Sequence, residues 1–330
     1  MAAGLQELQM PPMRRTEEGA ERRVGIELEM SGLSLDELTR VVARQLGLDA
    51  SKKGRYERVL SGDPAGDWVI ELDFDLLKKM GREERDPEDF ISDLEEAAES
   101  LLHWGAEQLV PVEVVSPPLP LSRLGEVEGL IVRLREKGAL GTAGNMLYAF
   151  GMQFNPEVPS LKAEAIRDYL KAFLCLYDWL HKRAKVNLTR RLTTYVDPFP
   201  ADYVRQVVDP DYSPTLERLI DDYLADNPTR NRALDMLPLF SHLDDKRVRR
   251  QAADPLIKAR PTFHYRLPNC EIEKPGWGLY EAWNDWVEVE RLAEDKTRLQ
   301  GCCAAYSKHL DQTLHFSAQW IKTLEQQWLK

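Results

Sequence analysis

RVGIELEM, residues 23–30, alternates apolar Val24, Ile26, Leu28 and Met30 with Gly25, Glu27 and Glu29. A period of two predicts a β-strand, and it places two carboxylates, two residues apart, on one face of that strand. WVIELDF at 68–74 repeats the pattern, with Val69, Glu71 and Asp73 on one face and Trp68, Ile70 and Leu72 on the other. LVPVEVVSPPL at 109–119 reads as a third strand, ended by Pro117 and Pro118, with Glu113 as its only carboxylate. Acids therefore recur on successive strands.

Between the first two strands, SLDELTRVVARQLG predicts an amphipathic helix. Ser34 is its N-cap, Glu37 the capping-box acid, Leu38, Val41, Val42 and Leu46 its apolar stripe, and Gly47 its stop. A polar stretch with Pro87 leads into DFISDLEEAAESLLHWG, read as a helix, and RLGEVEGLIVRLREKG at 123–138 has helical periodicity. NMLYAFGMQFNPEVP at 145–159 reads as a strand carrying Gln153 and Asn155 on one face, and LKAEAIRDYLKAFLCLYDWLHKRA at 161–184 is the clearest helix. Further helices are expected over 214–226 and across most of 279–328, separated by the extended segment PTFHYRLPN. Strands and helices intermix without a Gly-rich strand-to-helix turn, which favours an α+β fold with a largely antiparallel sheet over a dinucleotide or P-loop fold. Residues 1–22 read as a flexible tail, 23–275 as one catalytic domain and 276–330 as its helical C-terminal elaboration.

A net charge of -11 repels phosphate backbones and argues against nucleic acid as a partner. The tightest basic run, DDKRVRR at 244–250, lacks interleaved aromatics and reads as a solvated helix face or loop. Cys175, Cys270, Cys302 and Cys303 form neither a disulfide framework nor CxxC zinc spacing, so reduced cytosolic thiols are expected. The first residues hold Arg14, Arg15, Glu17 and Glu18 without an apolar stretch, and no long uncharged apolar run follows. The expectation is a cytoplasmic protein with no membrane span. The stripe Trp277, Trp283 and Trp286 reads as core packing.

Any one acid on a strand is most simply the outer face of a half-exposed sheet. Glu27, Glu29, Glu71, Asp73 and Glu113 together, on three strands flanked by apolar residues, would repel one another unless a cation sat among them. Hard oxygen ligands suit magnesium or manganese, and magnesium uses one or two carboxylates together with substrate phosphates. The same cluster also suits a metal-dependent hydrolase or a calcium site.

Five elements, in order, resemble the amidoligase family, a relative of glutamate-cysteine ligase and glutamine synthetase. RVGIELEM is similar to the opening GIExE strand, WVIELDFDLL to the W-x-x-x-x-D-x-S/D-L element, and VEVVSPPL to the E-x-x-S/T-P strand. FGMQFNPE resembles the G-x-H-x-N strand, and RPTFHYRLPN with WNDWVEVE resembles the Arg-bearing closing segment. The resemblance covers about residues 23–290 and implies a glutamine-synthetase-like fold: a curved antiparallel sheet that holds ATP and magnesium on its concave face, with helices behind.

It also implies roles. Glu27, Glu29 and Glu113 would be metal ligands, with Asp73 and Glu71 holding metal or the incoming ammonium group. Arg266 would neutralise the γ-phosphate or the forming acyl-phosphate; its other reading is a buried ion pair. Two positions depart from the pattern. Gln153 stands where a histidine ligand is common, and could offer an amide oxygen to the metal; Gln153 and Asn155 are also candidates to bind ATP. His264 stands where glutamate-cysteine ligase has a glutamate, and reads as a ligand, a general base or a structural histidine. NPTRNRALD offers Arg230 and Arg232, and TRR at 189–191 offers Arg190 and Arg191, to grip ATP or a substrate carboxylate; surface ion pairs with Asp221, Asp222 or Asp235 are the plainer reading.

The implied reaction is ATP-dependent amide formation through an acyl-phosphate, between a small-molecule amine and a carboxylate borne by an amino acid, peptide or protein. The alternatives are a catalytically weakened nucleotide- or peptide-binding module and a guanidino-kinase-like phosphotransferase. The C-terminal helices could pack internally or against a second copy.

Overall fold

The computed structural model describes residues 7–72, 111–142, 150–184, 196–312 and 316–329. These fall into two compact units interleaved in sequence. One comprises Gly25–Gln153 and Asn269–Leu279, the other Glu7–Val24, Phe154–Pro268 and Tyr280–Lys330.

In the first unit, β1 (Arg23–Met30, whose first two residues belong to the other unit), β2 (Asp49–Lys52), β3 (Glu57–Ser61), β4 (Trp68–Leu72) and β5 (Val112–Val115) lie in the order β2-β3-β4-β5-β1, with every neighbouring pair antiparallel, and the short β6 (Leu119–Pro120) pairs with β1. The mixed α and β content and the open antiparallel sheet match the expected class. One face of these strands is apolar and buried: Ile26, Leu28, Leu60, Trp68, Ile70, Val112 and Val114 are all at most 2% exposed. Helix α1 (Leu35–Leu46) packs on that sheet and against α2 (Leu124–Glu136). The α1 termini form as the sequence demands. Ser34 Oγ accepts from the Glu37 amide, the Glu37 carboxylate accepts from the Ser34 amide, and Gly47 takes the left-handed φ of 69°.

β2 and β3 were not expected. Both are short, and β2 is exposed along its whole length, so neither leaves a strong apolar alternation to read. The β3–β4 turn is held by Asp63. Its carboxylate accepts from Arg123 Nη1 and Nη2 at 2.7 and 2.9 Å, Trp68 Nε1 at 2.9 Å and the Ala65 amide at 2.8 Å. The Arg123 guanidinium, with smaller help from Trp68 and the Ala65 amide, holds this carboxyl well below the usual carboxylate range. Asp63→Asn is expected to destabilise the chain by about 2–3 kcal/mol at neutral pH in urea unfolding. A depressed folded pKa gives stability that is present above the unfolded value of about 4 and lost as pH falls below it. The gap between wild type and variant should therefore narrow by pH 3; a constant gap would mean that the charge of Asp63 is not what matters.

The second unit contains the end of β7 (Met152–Pro156), which pairs antiparallel with β9 (His264–Tyr265), which in turn pairs with β8 (Leu234–Asp235). Its helices are α3 (Ala163–Arg183), α4 (Ala201–Val208), α5 (Leu216–Asp226), α6 (Leu237–Gln251), α7 (Leu279–Glu294, whose first residue belongs to the other unit), α8 (Lys296–Leu310) and α9 (Ser317–Gln327). Helix α3 is the hub, touching α4, α5, α8 and α9. The basic run 244–250 lies on α6, which kinks at Asp244 (φ -152°, ψ 79°) where the side chain recaps the helix by accepting from the Arg247 amide. Trp283 and Trp286 are fully buried and Trp277 nearly so.

Residues 7–22 depart from the expected tail. Arg22 is 1% exposed and donates two hydrogen bonds, at 2.7 and 2.8 Å, to fully buried Glu290. The Gln9 amide bonds Asn284 Oδ1, and Trp283 Nε1 bonds the Gln9 carbonyl. A buried charge needs its partner, so this segment is held by α7. The four cysteines are free thiols, as expected.

Candidate functional site

Strand register turns the separate acids of the first unit into a row. Glu29 on β1 is the direct partner of Glu113 on β5, Glu113 of Glu71 on β4, and Glu71 of Glu57 on β3. Neighbouring strands are spaced by about 4.8 Å, so four carboxylates stand side by side across the sheet. The adjoining rung runs Glu27, Val115, Val69, Val59, which sets Glu27 two residues from Glu29 and among valines. Like charges directly opposite one another destabilise a sheet. The face is half-exposed at Glu27, Glu57, Glu71 and Glu113, whereas Glu29 is 8% exposed.

Glu29 ends the row in a built environment. Its Oε2 accepts from the Gly151 amide at 2.6 Å, and its Oε1 accepts from Gln153 Nε2 at 2.7 Å. Gln153, 7% exposed, donates its nitrogen to Glu29, so its amide oxygen is the atom that suits a hard cation. Both Glu29 oxygens retain a second lone pair.

Among the described residues, no three His, Cys, Asp or Glu side chains form a ready-made metal cage. The donor set nonetheless fits a hard, strongly hydrated cation: only carboxylate and amide oxygens are on offer, and magnesium draws much of its shell from water and phosphate. Asp73, Arg190 and Arg191 lie outside the described residues, as does the helix read at 89–105.

The other sequence-singled residues lie in the second unit. His264 and Asp235 are direct partners across β8 and β9, both buried, with Nδ1 and Oδ2 3.3 Å apart. Asp235 Oδ1 accepts from the Leu237 amide, so the carboxylate is anchored and orients the imidazole. Arg266 donates to the Arg230 carbonyl and its amide bonds the Ala233 carbonyl at 2.9 Å. Arg230 lies 3.8 Å from Asp254. Asn155 Oδ1 accepts from Arg260 Nη2 at 2.6 Å. Arg232 donates to the Pro198 and Asp226 carbonyls and lies over the Phe199 ring, contacts that hold the backbone.

Three residues were not singled out. Glu57 extends the acid row from a strand too short to read. Asp235 was read as a surface ion-pair partner of arginine, but it is fully buried against His264. Arg260 stands four residues before His264 and has a buried Nε without a hydrogen-bond partner; its place at the head of RPTFHYRLPN was the available signal.

Among the described residues, no helix is long and apolar enough to cross a membrane. Neither a curated protein nor a solved structure matches the chain. Residues 20–288 match the family described as "Putative amidoligase enzyme", a span that contains every candidate residue above. The chain belongs to that amidoligase family, whose name is that of an amide-forming ligase.

Proposed function

We propose that the chain is an ATP- and magnesium-dependent carboxylate-amine ligase, with a glutamine-synthetase-like catalytic sheet, acting in the cytoplasm on an amino acid, peptide or protein carboxylate. The row Glu57, Glu71, Glu113 and Glu29 carries this reading: four aligned carboxylates lower stability, and a divalent cation offsets that cost. Magnesium, or manganese in its place, would supply charge neutralisation to the nucleotide phosphates. Glu113, Glu71 and Glu29 would hold it, with Glu27 and the Gln153 oxygen beside them.

In the proposed reaction a substrate carboxylate oxygen attacks the γ-phosphorus of ATP and ADP leaves. An amine nitrogen then attacks the acyl carbon, phosphate departs and the nitrogen gives up a proton. Arg266 neutralises phosphate charge with its planar guanidinium, which a lysine does not reproduce. His264, oriented by Asp235, is proposed to accept the proton, and Asp73 to hold the ammonium group. Asn155, Arg230 and Arg260 are proposed to bind nucleotide or substrate anions. Arg266→Lys should lower kcat at least about 100-fold while ATP binding persists; undiminished turnover would remove Arg266 from the reaction.

The engagement of both Glu29 oxygens favours a second reading, a module that binds a nucleotide or peptide without turnover. Hydroxylamine separates the two, because it traps an acyl-phosphate whatever the natural amine. With ATP, magnesium and pooled carboxylates, including glutamate-terminated peptides, a ligase yields hydroxamate and stoichiometric ADP. Bound ATP with neither product would favour the module.

A further inference from the structure

The first unit carries a groove of about 480 Å³ between α1 and α2 whose charge is opposite to that of the chain. Arg40 and Arg44 line it from α1, Arg133 and Lys137 from the end of α2, and Leu33 and Val41 give it an apolar floor. Each helix thus contributes two cations four residues apart, which puts both on one face. The groove's one acid, Glu37, is already used, accepting from the Ser34 amide and hydroxyl.

Ordinary helix chemistry accounts for most of this charge. Arg44 and Lys137 sit at the carboxyl ends of their helices, where a cation complements the helix dipole. Arg133 also falls in the last turn of its helix, whereas Arg40 stands more than a turn from the end of α1 and is not explained that way. Among the described residues, Arg133 pairs with Glu136 at 2.9 Å, Arg40 bonds only the Asp36 carbonyl, and neither Arg44 nor Lys137 makes an ion pair. Four convergent cations on a chain of net charge -11 form a local exception that attracts anions and is screened by salt.

We propose that this groove docks an acidic polypeptide segment that sets glutamate or aspartate side chains against the two cation pairs and an apolar side chain on Leu33 and Val41. Charge complementarity selects the acids. The apolar floor and the volume, larger than one phosphate needs, select a peptide over an inorganic anion. The groove is separate from the acid row, and the inference stands whether or not the chain is a ligase.

Fluorescence anisotropy of a short fluorescein-labelled peptide repeating glutamate-glutamate-leucine, titrated with the full chain, tests this. Saturable binding is expected, weakened about tenfold by Arg44→Glu with Lys137→Glu, weakened less by the corresponding glutamine pair, and weakened again by raised salt. Both substituted side chains are on the surface, and thermal melts of each variant would confirm folding. A peptide of glutamate alone should bind several-fold more weakly. No saturable binding, binding unchanged by charge reversal, or full displacement by an equal concentration of inorganic phosphate would each overturn the assignment.

Discussion

Glu113→Gln is expected to abolish ATP-dependent amide formation, lowering kcat at least about 100- to 1,000-fold, while leaving the protein as stable as wild type or more so. Two effects of opposite sign meet at this residue. Glu113 is flanked directly by Glu29 on one strand and Glu71 on another. Opposed like charges in a sheet cost about 0.2–1 kcal/mol per pair, so neutralising the middle member relieves repulsion on both sides. The amide keeps nearly the same shape and one acceptor oxygen but provides a much poorer metal ligand. Activity assays beside urea unfolding would show the two trends diverging. A variant that unfolds more readily and loses activity in proportion would make the acids structural.

Glu290→Ala is expected to remove about 3–5 kcal/mol of stability, a large part of the 5–15 kcal/mol typical of a folded domain. Glu290 is fully buried and accepts four hydrogen bonds: two from Arg22, one from Trp286 Nε1 at 2.8 Å and one from Tyr169 OH at 3.2 Å. Removing it strands the Arg22 charge, which is 1% exposed. Arg22 also donates to the Glu157 and Met13 carbonyls, so the loss would spread to residues 7–22 and raise their amide exchange. Replacing Arg22 and Glu290 together by methionine should recover much of the loss, since no unpaired charge is then buried. A double variant as unstable as Glu290→Ala would show that packing around Trp286 and Tyr169, and not the uncompensated charge, sets the penalty.

How much of this was legible varies with the physics of each element. β1 announced itself because Val24 to Met30 alternate strictly, and α1 because Ser34, Glu37 and Gly47 carry local capping chemistry that needs no tertiary partner. A period of two gives the face on which Glu29, Glu71 and Glu113 lie, but not the register that makes them neighbours. Register depends on how distant strands pair, which is why the row, and Glu57 within it, emerges only from the folded chain. His264 and Asp235 meet through two-residue strands 29 positions apart, too short for any periodic signal. Arg232 read as a ligand grip because its sequence neighbours are polar, yet it spends its donors on carbonyls from two other segments. The supposed tail hid its anchor in the same way, since nothing local marks Arg22 as the partner of a carboxylate 268 residues away.

The most direct test of the carboxylate row is manganese binding followed by electron paramagnetic resonance, with and without a non-hydrolysable ATP analogue, on the native chain and on Glu71→Gln and Glu113→Gln. The expected result is weak uptake by the native chain alone, strong uptake with the analogue, and a loss of at least about tenfold in affinity in each variant. Equal uptake by native and variant chains, or none by the native chain with the analogue, would contradict the assignment of the row to a metal-nucleotide site.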